Sequence, residues 1–480
     1  MDAEVMASPA GATGDTESSR PERWWVAAIA VAAALPSLVA GLVGGGFLTD
    51  DWGVWLVFDR LGVLDGMWHL AFEQPARPLV APYYAFIYLV VGDAPVVQSL
   101  IMAAVNASVV VAAWSCGRRF LPRTVMWPAL VVFALAANHA MTRLWFIVAT
   151  YPMAIALVFL GVRDLDRRHA VRASILLAAA TLLYEGSVGL ALTLVGLWAL
   201  VDLSQRIVAA GLVLLPTIAA AVLAFLLSPK RELGPKPFNN VRTLYPGTLG
   251  VGLWDSALIA RIGTLAILAG LLIALVQLLP SWRSEHPEGR WALVGLVLLF
   301  AGAGPFLLSG APFATTGLFD RNNLAPAVGT AVLLGALWGM LHRVAAVPAQ
   351  VLGLSVVLWF CVLQAEDVAN YADAVGRGDA IVESLAAAPG VDDTEPILVV
   401  PAQESAGTGL ADFVYDGDLT GAMRYRHGGD WSGVRLVENV ECVELAAQLD
   451  EVQVFDWTSS TLTRAEGDEV RSLCELASSS

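Results

Sequence analysis

Apolar runs of roughly 15 to 22 residues recur from Trp24 to Gln364, and each is close to the ~20 residues of helix that cross a bilayer core. Short polar turns separate them. This pattern predicts an all-α polytopic membrane protein with about 11 transmembrane helices, over residues 24–46, 95–115, 124–138, 146–161, 173–185, 187–201, 207–227, 258–280, 291–308, 326–341 and 348–365. One further apolar run, Pro78 to Gly92, stands apart because of the arginines that follow it.

Arginines mark one side of this pattern. They cluster at Arg118, Arg119 and Arg123, at Arg163, Arg167, Arg168 and Arg172, at Arg206, at Arg283 and Arg290, and at Arg343. The positive-inside rule places all of them in the cytoplasm. If Pro78 to Gly92 crossed the membrane, the Arg118 cluster would face outside. That run therefore predicts a helix lying at the outer surface, where Tyr83, Tyr84 and Tyr88 suit an interface. The amino end is then cytoplasmic, with residues 1–23 a disordered tail rather than a cleaved signal peptide. The outer side receives a first loop (47–94), turns at 139–145 and 184–186, loops at 228–257 and 309–325, and the carboxyl end. No internal repeat is evident, which argues against an inverted-repeat transporter.

Composition sharpens this picture in two ways. The chain is 57% hydrophobic and 15% charged, with a mean hydropathy of +0.66, where soluble proteins carry about 25% charged residues. A soluble enzyme and a disordered protein are both excluded. The net charge of −15 belongs to the C-terminal part, since residues 366–480 hold 23 acidic residues against 6 arginines. Such acidity repels a phosphate backbone, so no nucleic acid is expected as partner. Residues 24–365 thus form the membrane domain and 366–480 a small extracytoplasmic α/β domain. Within it 366–388 is predicted helical, and Pro396–Val400 and Val452–Phe455 are predicted strands. Cys442 and Cys474 fall in this domain and are expected to pair outside the cytoplasm. Cys116 and Cys361 are expected to be single thiols in or beside spans.

Candidate chemistry gathers on the outer side. Asp50 and Asp51 follow the first span at once; one of them is a candidate general base, or both cap a helix start. Arg77 precedes the interfacial helix and either holds a phosphate or pairs with Glu73. Arg143, in the turn at 139–145, and Glu185, at a hairpin tip, are charges at a depth that favours function, with mutual structural pairing as the alternative. Lys230, Arg231 and Lys236 share one outer loop that holds both lysines of the chain. A phosphate-bearing partner or lipid headgroups account for them. Arg321 adds a further cation. No histidine or cysteine pair stands at zinc-ligand spacing, and no phosphate loop, Gly-x-Ser-x-Gly elbow or His-Glu-x-x-His is present.

The layout resembles the GT-C superfamily of integral-membrane glycosyltransferases, which includes protein O-mannosyltransferases and aminoarabinose transferases. The resemblance rests on five features over residues 24–365: Asp50-Asp51 directly after the first span, Ala76-Arg77-Pro78-Leu79 opening an amphipathic helix, the Gly117-Arg118-Arg119-Phe120 turn, the short turn at 139–145, and Tyr184-Glu185-Gly186. It implies that Asp50 or Asp51 is the base or acceptor-binding acid. It also implies a polyprenyl-phosphate-linked sugar donor whose phosphate is held by outer basic residues, and a glycan, lipid or protein acceptor hydroxyl. The turn at 139–145 carries Arg143 and no acid, which departs from members with a second acidic residue there and weighs against a divalent metal. A transporter or flippase of lipid-linked glycan and a non-catalytic envelope assembly protein are the alternatives.

Overall fold

The computed structural model describes residues 20–48, 50–136, 139–200, 202–227, 288–309, 318–388, 391, 418–428 and 431, together with four short strands. Alanine, valine and leucine carry helix α1 (Arg20–Val43) through Pro36 up to Gly44, whose φ of +112° turns the chain. Asp50 and Asp51 then open α2 (Asp50–Glu73), where acids in the first turn complement the helix dipole. Gly62, at φ +76°, breaks α2 in two; a side chain there would be strained. Next come α3 (Val80–Phe86), extended by a π-turn over Ile87–Val91, and α4 (Pro95–Phe120). The latter starts on proline and ends on Arg118 and Arg119, which suits both ends of a helix.

Helices α5 (Arg123–Leu135), α6 (Met141–Leu144), α7 (Thr150–Asp166), α8 (Ala170–Leu183), α9 (Ser187–Leu200) and α10 (Leu203–Leu227) follow. After them come α11 (Glu288–Ser309), α12 (Leu324–Val344) and α13 (Ala346–Ala387). Backbones approach closely where α11 crosses its neighbours. A Cβ on Gly329 would lie 2.0 Å from the Leu299 nitrogen, and one on Gly189 would lie 1.8 Å from the Ala301 carbonyl oxygen. Association within lipid rests on such small-residue packing, since lipid tails are as apolar as leucine. Leu212, Leu215, Val351 and Leu354 stand well exposed on α10 and α13, a surface that suits lipid.

Seven helices among the described residues are long and apolar enough to cross a membrane: Arg20–Val43, Pro95–Phe120, Phe146–Asp166, Arg206–Ala224, Glu288–Leu307, Arg321–Val344 and Ala346–Ala387. The chain is a helical membrane protein. The count of about 11 is not reproduced. The runs expected at 124–138, 173–185 and 187–201 are α5, α8 and α9, of 13, 14 and 14 residues. At 1.5 Å per residue these are roughly 20 Å long, against a core of ~30 Å. The run expected at 258–280 lies outside the described residues.

Ion pairs gather the arginine-bearing ends together: Arg123 with Glu22 (2.6 Å), Arg119 with Asp166 (2.5 Å), Arg172 with Asp164 (2.8 Å) and Arg343 with Glu288 (2.5 Å). Asp51, Arg77 and Glu185 are brought together elsewhere, at the other ends of these helices.

The span expected at 348–365 and the helix expected at 366–388 are one element, because α13 runs unbroken through residue 366 for 42 residues. Beyond lie β1 (Ile397–Pro401), α14 (Asp418–His427), β2 (Val434–Leu436), β3 (Gln453–Thr458) and β4 (Thr461–Ala465). The strand order is β2-β1-β3-β4. β1 is parallel to β2 and to β3, with Ile397 opposite Val434 and Gln453, and β4 returns antiparallel to β3. α14 lies between the parallel β1 and β2 in sequence, as a crossover requires. It does not stay with the sheet alone. A Cβ on Gly421 would lie 2.2 Å from the Trp52 carbonyl oxygen, so α14 rests on α2. Arg424 pairs with Asp59 (2.8 Å), and Arg426 pairs with Asp93 (2.8 Å) and Asp379 (2.9 Å). Tyr425 closes the contact against Phe47, Trp52 and Trp55. Through α14 the segment after residue 366 packs against the helical body.

Candidate functional site

Successive residues on a helix point about 100° apart, so the two adjacent carboxylates at the start of α2 cannot share one environment. Asp51 turns inward and is 0% exposed. It accepts three hydrogen bonds: from the Leu48 amide (2.8 Å), the Tyr88 hydroxyl (2.6 Å) and the Trp145 indole Nε1 (2.9 Å). These donors come from the loop before α2, the π-turn and the residue after α6. Burial pushes the Asp51 carboxyl up to about 7, against the lowering pull of the donors. All three partners donate, which matches an ionised carboxylate.

Asp50 turns instead to a cavity of about 380 Å³, lined among others by Gly53, Glu73, Arg77, Tyr151, Arg321 and Asp418. Arg77 reaches it from the chain just before α3. Its Nε pairs with Glu185 (2.8 Å) and an Nη donates to the Tyr151 hydroxyl (2.6 Å). Tyr151 in turn stacks on Tyr184, with ring centroids 4.0 Å apart. Burial alone would lower the Arg77 pKa, but the Glu185 carboxylate together with the oxygens of Tyr151, Tyr84 and Tyr184 outweighs it, and the net direction is upward. Glu73 pairs with His69 (3.0 Å), so the ion-pair partner of Arg77 is Glu185 rather than the expected Glu73. Arg321 lies with its guanidinium 5.1 Å from the Trp145 ring centroid, a cation–π distance. Trp145 thus links Arg321 to Asp51 through its ring and its indole N–H.

Asp50, Arg77 and Arg321 therefore converge on one space, with Asp51 and Glu185 directly behind them. Arg143 does not join them. It is 3% exposed, donates to the Phe133 carbonyl (3.2 Å) and lies 3.2 Å from His139 Nε2. Burial, aided by the Arg143 charge, holds the His139 pKa well below its ordinary value, so the imidazole is neutral. The Ser37 hydroxyl donates to the Arg143 carbonyl (2.7 Å), tying this turn to α1. The contacts of Arg143 link this turn to α5 and α1, and Glu185 pairs with Arg77.

Lys230, Arg231, Lys236, Cys442 and Cys474 lie outside the described residues. Cys116 and Cys361 are free thiols, the first buried and the second exposed. Among the described residues no group of three or more His, Cys, Asp or Glu side chains is placed to hold a metal ion.

Two cavity residues escaped the sequence. Tyr151 looked like part of an apolar run, and only its i+33 stacking partner Tyr184 shows its role. Asp418 lies in a strongly acidic stretch where nothing distinguishes one carboxylate from its neighbours. No family model matches the chain, and no curated protein matches it.

Proposed function

We propose that the chain is a membrane glycosyltransferase that moves a sugar from a polyprenyl-phosphate donor to an acceptor hydroxyl on the extracytoplasmic side. The observation that carries this is the sharing of one cavity by the Asp50 carboxylate and two guanidinium groups, Arg77 and Arg321. In the reaction Asp50 takes the proton of the acceptor hydroxyl, whose oxygen attacks the anomeric carbon. The bond from that carbon to the phosphate oxygen breaks, and polyprenyl phosphate leaves with its electron pair. Arginines held in place beforehand compensate the charge developing on the leaving group, and Arg77 is held by Glu185 and Tyr151. Lys230, Arg231 and Lys236 belong to this proposal as further phosphate contacts. The Cys442–Cys474 disulfide belongs to it as a staple of the extracytoplasmic segment.

The proposed topology keeps eleven spans, with α5, α8 and α9 among them and the amino end in the cytoplasm. It is supported by the paired arginine ends, because α5 and α8 each start at that end and finish on the side of Arg143 or Glu185. Single cysteines introduced beside Asp93 and Arg119 should be labelled by an impermeant reagent from outside and from inside respectively. Labelling of both from the same side would sink the topology.

The activity is tested with the purified chain, a panel of radiolabelled polyprenyl-phosphate sugars and membranes from a strain lacking the gene. Transfer of label to those membranes is the expected result. Arg321→Ala should raise the donor concentration for half-maximal transfer about 10- to 100-fold, the factor that corresponds to a hydrogen bond to a charged group. Complete lipid-linked glycan accumulating in the deletion strain, rather than loss of a single sugar from its envelope, would instead support a flippase. An unaltered envelope with no transfer would leave a non-catalytic assembly role.

A further inference from the structure

Resting on the transferase proposed above, we propose that Asp418 is an acceptor-binding residue: α14 delivers its carboxylate to the cavity, where it accepts a hydrogen bond from an acceptor hydroxyl beside Asp50. Asp418 is 1% exposed and lines the cavity. Its Oδ1 lies 2.8 Å from where a Cβ on Gly53 would stand, so the carboxylate rests against bare α2 backbone. Gly53 is three residues after Asp50, and residues so spaced share a helix face with Cβ positions roughly 5–6 Å apart. Asp50 and Asp418 therefore occupy one wall of the cavity.

The arginines reach the same cavity from other parts of the chain. Arg77 is fixed to Tyr151 and Arg321 lies on Trp145, both from the chain around α6 and α7. Displacement at the anomeric carbon puts the incoming oxygen opposite the leaving one. A donor phosphate held by the arginines then leaves the acceptor to Asp50 and Asp418. Ionised carboxylates accept several hydrogen bonds and donate none. Two of them side by side favour a group rich in hydroxyls and repel one that carries its own phosphate, so the acceptor is an uncharged carbohydrate.

The delivery is built firmly. Arg424 on Asp59 and Arg426 on Asp93 hold α14 against the first loop, and Gly421 lets its backbone touch Trp52. An acid in the first turn of a helix also complements the dipole. That bland role predicts a change in stability and none in acceptor affinity.

The test uses the full chain, the labelled donor that wild-type protein turns over, and deletion-strain membranes titrated as acceptor. Asp418→Asn should raise the amount of acceptor membrane needed for half-maximal transfer about tenfold or more, the scale of a charge-assisted hydrogen bond. Donor half-saturation and melting temperature should stay at wild-type values. Gly53→Ala, which presses a methyl group on Oδ1 without touching the charge, should shift the acceptor curve in the same direction. Acceptor curves that superimpose on wild type would overturn the inference, as would a fall in melting temperature with both substrate curves shifting together. If Asp418→Asn does not fold, Gly53→Ala decides by the same criteria. Wild-type protein that transfers no sugar to these membranes is a different result: it removes the transferase itself.

Discussion

Asp50→Asn is expected to fold normally and to lose sugar transfer by about 10²- to 10⁴-fold, the usual cost of removing a positioned general base. The size of the loss separates two roles. As a helix-start residue, Asp50 would contribute about 1 kcal/mol to stability through the dipole and first-turn amides, and asparagine preserves most of that. As a base, it must accept a proton, which an amide cannot do. The decisive pair of measurements is therefore melting temperature and turnover on one purified sample. An unchanged melting temperature with transfer near wild type would remove Asp50 from the chemistry and leave it a cap. The fall should appear in kcat more than in donor half-saturation, because the proposed reaction sets Asp50 against the acceptor and gives the donor phosphate to Arg77 and Arg321.

Much of this site was legible in the sequence because its residues break local rules. Two adjacent acids directly after an apolar run, an arginine before a proline, and a glutamate at a hairpin tip are each costly in place, and Asp50, Asp51, Arg77, Glu185 and Arg321 do converge. What the sequence could not say was which acid faces which way. Asp51 is defined by donors 37 and 94 residues away, at Tyr88 and Trp145, and no local pattern encodes those contacts. Arg143 lies apart from that group. Its charge in a membrane-adjacent turn suggested function, yet Phe133, His139 and Ser37 give it a structural place that short-range spacing conceals.

The helices divide in a similar way. Long runs such as those of α1, α4 and α12 are unambiguous, since their apolar length alone matches a bilayer. The shorter α5, α8 and α9 are nearly the length of their apolar runs, and helix and run alike fall short of the ~20 residues that cross a bilayer core. Arg77, Tyr151 and Glu185 come from three segments that only the packing of α7 against α8 and α9 brings together. The acidic C-terminal stretch had no periodicity to follow, so the docking of α14 on α2 was beyond sequence reasoning.

Replacing Asp51 should have the largest effect on the fold, and the choice of replacement should decide the outcome. Asp51→Ala leaves the Leu48 amide, the Tyr88 hydroxyl and the Trp145 indole without their acceptor in a site closed to solvent. Each such buried donor costs about 1–3 kcal/mol. The sum need not be additive, but a loss of about 3 kcal/mol or more is expected, read as a fall in melting temperature and in yield of monodisperse protein. Asp51→Asn should behave differently. Its amide oxygen, placed where Oδ2 now lies, still accepts from Leu48 and Trp145, and its NH₂ group donates to the Tyr88 oxygen once that hydroxyl turns around. All three contacts survive, so stability should remain within about 1 kcal/mol of wild type. Transfer should fall far less than in Asp50→Asn, since Arg321 still lies on a Trp145 held in register. If Asp51→Asn instead keeps its melting temperature and is as inactive as Asp50→Asn, the buried carboxylate takes part in the chemistry and the division of roles between the two neighbours is wrong.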